Sequence, residues 1–93
     1  MEQPSWAKRT ADRLAALYDE DFGARPKGRF RISMKYLRQL ADRKRLYADD
    51  LLELKREVYE LGFVLIDLET FFVVISQRTF SNYRRVSEDA LGR

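Results

Sequence analysis

The chain has 93 residues, no cysteine, no histidine and a formal net charge of +3. That length suits one domain near the lower limit of what folds unaided. Absent cysteine rules out a disulfide framework and a thiolate metal site, and absent histidine removes the commonest general base, metal ligand and pH switch together.

Met1-Glu2-Gln3-Pro4 carries no basic-then-apolar run of a secretory leader. No apolar run exceeds five residues, against roughly 20 for a membrane-spanning helix. A cytoplasmic protein without membrane contact is therefore expected. Ser5 then marks a helix start. Trp6, Thr10, Leu14, Leu17 and Tyr18 recur near helical spacing, with Ala7, Ala11 and Ala15 beside them. This predicts a helix over 5–22, fraying at Asp19-Glu20-Asp21, where three acids crowd the negative end of the helix dipole. Gly23 is the expected stop, and Ala24 to Gly28, with Pro26, reads as a loop.

Arg29-Phe30-Arg31-Ile32 alternates as a strand over 29–32, with Phe30 and Ile32 on one side and the two arginines on the other. Ser33 can cap a helix over 33–43 whose inward face is Met34, Leu37, Leu40 and Ala41. Lys35, Arg38, Gln39, Asp42 and Arg43 fall on its outward side. Arg43-Lys44-Arg45 forms the connection, and Leu46 and Tyr47 are expected in the core. A second helix follows over 49–61, with Asp50 and Glu53 resembling a capping box. Leu51, Leu54, Val58 and Leu61 make its apolar stripe, flanked by Leu52 and Tyr59. The opposite face holds Asp49, Asp50, Glu53, Arg56, Glu57 and Glu60. After Gly62, the runs Phe63 to Ile66 and Phe71 to Ile75 predict a β-hairpin over 63–76 turning at Asp67-Leu68-Glu69-Thr70. Phe80, Tyr83 and Val86 fit a short helix or arm over 79–86 that also bears Arg78, Arg84 and Arg85, and 87–93 is expected to be a loose tail.

Charge is distributed unevenly. From Arg25 to Arg45 nine cations stand against one carboxylate, a net +8, whereas Leu46 to Thr70 carries a net −5. A block this lopsided points to a surface for an anionic partner. Catalysis has little to work with. The acids sit at spacings of a solvated helix face, Asp19 to Asp21 lack the glycine-bearing loop of a calcium site, and no phosphate-binding glycine loop or nucleophile elbow occurs. No enzyme activity, metal or cofactor is expected.

The order strand, helix, turn, helix, hairpin from Gly28 to Ser76 resembles the winged helix, a helix-turn-helix with a β-hairpin attached. The resemblance covers nearly the whole ordered chain but rests on element order and not on a signature peptide. It implies an α+β fold, mainly helical with a small three-stranded antiparallel sheet. It also implies transcription regulation by DNA binding, with the second helix of the pair, Asp49 to Leu61, in the major groove and the wing tip, Asp67 to Thr70, on the backbone. Both places are acidic here, with Arg56 the one candidate for base reading on the exposed helix face.

The favoured expectation is therefore a small DNA- or RNA-binding regulator that uses its basic block without catalysis. Arg25, Lys27, Arg29 and Arg31 would act as an arm, and Lys35, Arg38, Arg43, Lys44 and Arg45 would supply further phosphate contacts. The alternative is an interaction subunit whose acidic face, Asp49, Asp50, Glu53, Glu57 and Glu60, meets a basic protein. Both hairpin faces are apolar, so Val64, Ile66, Phe71, Val73 and Ile75 are candidates for a homodimer interface, unless Trp6, Phe80 and Tyr83 cover that face.

Overall fold

Two serines open helices by accepting backbone N–H groups: Ser5 Oγ from Lys8 and Ser33 Oγ from Tyr36, each at 3.1 Å. In the computed structural model, which describes residues 3–92, these caps begin α1 (Trp6–Tyr18) and α2 (Met34–Ala41). Met1, Glu2 and Arg93, which belong to the expected start and tail, lie outside the described residues. A third helix, α3 (Ala48–Glu60), joins the strands β1 (Phe30–Ser33), β2 (Phe63–Asp67) and β3 (Phe71–Ser76). The strands form one antiparallel sheet in the order β1-β3-β2. The fold class is α+β.

Register decides which side chains reach the core. Val74 of the central strand pairs with Phe30 on one side and Leu65 on the other, and Ile32 lies opposite Phe72. Leu65, Phe72 and Val74 are buried against Ala11 and Leu14 of α1, Leu37 of α2, and Leu51, Leu54 and Val58 of α3. Each large side chain hidden in this way contributes roughly 1.5–3 kcal/mol. Helix α1 packs against both α2 and α3 and so ties the helical layer together. The buried Thr10 hydroxyl donates to the Trp6 carbonyl at 2.7 Å. Among the described residues no buried side-chain polar atom lacks a partner.

Several boundaries differ from those expected. Helix α1 stops at Tyr18, not 22, because Gly28 N–H takes the Tyr18 carbonyl at 3.0 Å, and Phe22 exchanges two backbone hydrogen bonds with Arg25. Helix α2 begins after its cap and ends before Asp42, whose left-handed conformation (φ 56°) closes the last turn through its N–H to Arg38 and Gln39. The strand runs over Phe30–Ser33, not 29–32. Helix α3 starts at Ala48, one residue early. Its cap is Asp50 accepting the Tyr47 N–H at 2.9 Å, so the expected pairing of Asp50 with Glu53 is not the one formed.

Tyr47 is 65% exposed and does not enter the core, while Leu46 is only partly buried. Leu52 and Tyr59 lie too far round α3 to join its stripe and are 48% and 61% exposed. After β3 a 3-10 turn runs over Gln77–Phe80, and a second, Asp89–Leu91, lies in the stretch expected to be a loose tail. Residues 81–92 are all exposed. The Cα radius of gyration is 15.5 Å, against about 12 Å for a compact chain of this length. Among the described residues no helix is long and apolar enough to cross a membrane.

Candidate nucleic-acid interface

The basic block folds into two clefts. One, of about 690 Å³, is lined by Lys35, Arg38 and Gln39 of α2 and by Asp42, Arg43, Lys44 and Arg45 of the connection to α3. Asp42 is the one carboxylate in that lining. The second, of about 620 Å³, is lined by Arg25, Arg29 and Arg31, with Phe22 and Phe30 among its apolar walls. Lys27 is exposed but lines neither, and its backbone N–H is held by Asp21 Oδ1 at 2.8 Å. That hydrogen bond gives one of the three clustered acids a structural task in the α1–β1 loop.

Local architecture explains part of the cation cluster. The last turn of α2 is the negative end of its dipole, and cations gather there. Arg13 of α1 reaches across to donate to the Leu40 carbonyl at 2.7 Å. Arg43 is likewise committed inward. Its guanidinium lies over the Trp6 ring, 4.3 Å from the centroid, and Nη2 stands 3.7 Å from Asp50 Oδ1. The exposed cations left for a ligand in this cleft are Lys35, Lys44 and Arg45, with Arg38 half-buried and Asp42 exposed beside them.

Helix α3 presents a different surface. Asp49, Glu53, Arg56 and Glu60 are exposed, Glu57 is half-buried, and Asp50 is occupied by the Tyr47 N–H and Arg43. No α3 residue lines either basic cleft. The hairpin tip is acidic for a structural reason: Asp67 Oδ1 accepts the Glu69 N–H at 2.8 Å, and Asp67 Oδ2 lies 4.0 Å from Lys55 Nζ. That hydrogen bond folds the tight turn in which Glu69 takes a positive φ of 72°.

Of the proposed hairpin interface, Val64, Ile66, Phe71 and Val73 are half-buried. Ile75 is buried within the chain and is not available to a partner. It lies on the central strand opposite Val64. Arg31 also covers part of this side, its guanidinium 5.4 Å from the Phe71 ring centroid. Trp6 packs against the core cluster under Arg43, while Phe80 and Tyr83 pair edge-on with each other at 5.2 Å.

Sequence reasoning missed two aromatic residues beside the clefts. Phe22 meets Phe30 edge-on at 5.8 Å and is 42% exposed, and Tyr36, next to Lys35 on α2, is 58% exposed. The available signal was their place: neither belongs to an apolar stripe, and Tyr36 directly follows Lys35. No family model, curated protein or solved structure matches this chain.

Proposed function

We propose that this chain is a nucleic-acid-binding regulator of winged-helix type that works by binding, without catalysis, through the cleft at the C-terminal end of α2. The observation that carries this reading is that cleft, which Lys35, Arg38, Lys44 and Arg45 line with the inward-turned Arg43 and a single carboxylate, Asp42. Phosphate backbones neutralise such a surface and release their counterions, which drives association. The element sequence helix, strand, helix, helix, hairpin, with β3 between β1 and β2, supports the winged-helix part of the reading. The connection of residues 42–47 is longer than a tight helix-turn-helix link, and the acidic α3 face disfavours insertion of that helix into a groove. Both features favour backbone contact over base reading.

Salt-titrated binding to mixed-sequence DNA, duplex and single-stranded, tests the proposal. The log–log slope should be roughly −0.9 per phosphate neutralised on duplex and −0.7 on single strands. Replacing Lys44 and Arg45 together by Ala, or Lys35 and Arg38 together, should weaken binding to every sequence and flatten that slope. Failure to bind any form at low salt would remove the reading.

One observation favours a protein partner instead: the exposed Leu52 and Tyr59 stand on α3 beside Asp49, Glu53 and Glu60. An amphipathic, acidic helix face of this kind fits a basic protein, including a second copy of the chain. Sedimentation as a dimer that Leu52→Ser with Tyr59→Ser converts to monomer would support that alternative.

A further inference from the structure

We propose that the nucleic acid taken up here is an unpaired strand, with a base seated in the aromatic groove beside β1 and neighbouring phosphates on the arginines that border it. This rests on the nucleic-acid reading above and names its ligand class. The groove, of about 450 Å³, is walled by Phe22, Phe30, Ile32, Tyr36 and Phe71, with Arg31 at its rim. It shares Phe22, Phe30 and Arg31 with the cleft that holds Arg25 and Arg29, so the apolar and cationic surfaces are continuous. On its other side, Lys35 Nζ lies 5.9 Å from the Tyr36 ring centroid, and Lys35 lines the larger basic cleft. Cations therefore border an open aromatic groove on both sides.

A duplex has no use for such a groove, because its bases are stacked on one another and only their edges are open. An unpaired base can leave its neighbours and lay its face on an aromatic ring, while the backbone follows a cationic track. Arg31 suits the rim, since a planar guanidinium already placed over Phe71 can stack on a base and still face a phosphate. The acidic α3 also ceases to be an obstacle, because this mode needs no helix in a major groove.

The test compares a mixed-sequence single strand of about 20 nucleotides, as DNA and as RNA, with the matching duplex by fluorescence anisotropy at low salt. Either single strand should bind at least about tenfold more tightly than duplex. Tyr36→Ala should weaken single-strand binding by roughly five- to a hundredfold, the range for losing one base stack, and leave duplex binding unchanged. Tyr36→Phe, which keeps the ring, should bind as the unaltered protein does. Phe22→Ala, checked for an intact melting transition, should act in the same direction. Duplex binding as tight as single-strand binding, or an unaffected Tyr36→Ala, would overturn the inference while leaving the basic-cleft reading in place. Absence of binding to every form would overturn both.

Discussion

Arg43 sits in a run of three cations whose neighbours, Lys44 and Arg45, are exposed, yet it packs over Trp6 and beside Asp50. The ring is 37 positions away in the chain, so charge patterning alone reads all three residues as equivalent. They should separate in a denaturation experiment. Arg43→Ala removes a partly desolvated cation–π contact and a partly exposed ion pair, worth together about 1–1.5 kcal/mol. Lys44→Ala and Arg45→Ala should stay within about 0.5 kcal/mol of the parent, as surface changes do. Urea midpoints of the three variants check this. Equal effects would mean that the Trp6 contact contributes nothing. For the same reason Arg43 is a poor choice in binding experiments, where lost stability would imitate lost affinity. At this scale the sequence is legible for identity and charge, and silent about which charge is spent inside the protein.

Elements were easier to read than their ends. The stripe Leu51, Leu54 and Val58 is buried at helical spacing, and Leu65, Phe72 and Val74 are buried on the inner sheet face. Periodicity carries that much because burial selects one face. The end of α1 was not legible, since it depends on Gly28 N–H reaching back to Tyr18, a contact between segments that local propensity cannot register. The exposure of Leu52 and Tyr59 follows from the same spacing, which sets both well round the helix from Leu51, Leu54 and Val58. Gly62 is a junction that sequence and structure both mark. It holds φ at 90° between α3 and β2, accepts the Gln77 N–H at 3.0 Å, and has open space where a Cβ would stand. Gly62→Ala should therefore cost about 1–2 kcal/mol through backbone strain alone, with no clash to relieve. A urea titration checks the loss, and an unchanged midpoint would show that the α3–β2 junction can relax to negative φ.

Over the whole molecule, charge is separated: two cationic clefts lie along the α1–β1 loop, α2 and its connection, while α3 and the hairpin tip are acidic. The sequence predicted the two blocks by composition. What it could not supply was the division of the first block into two clefts or the aromatic groove adjoining one of them, because Phe22, Tyr36 and Phe71 meet only in the fold. This arrangement makes α3 the discriminating element between modes of binding. If nucleic acid lies on the cationic clefts, Glu53 and Glu60 face bulk solvent, and beyond a Debye length of about 8–10 Å their charges are largely screened. Replacing both by Gln should then change affinity by less than about threefold at physiological salt, a difference below about 0.7 kcal/mol. If α3 instead enters a groove, the same double change relieves repulsion at close range and should tighten binding at least tenfold, about 1.4 kcal/mol. Arg56 sharpens the comparison, being exposed on that face between the two glutamates. On a groove-seated helix, Arg56→Ala should weaken binding and relax preference among sequences, since one bidentate guanine contact discriminates by about 1–3 kcal/mol. On a helix turned away, it should alter neither affinity nor preference. Anisotropy titrations of the parent, the Gln pair and Arg56→Ala, run at one salt concentration on the same oligonucleotides, distinguish the two modes. Tightening by the Gln pair together with weakening by Arg56→Ala would move the binding surface from the clefts to α3.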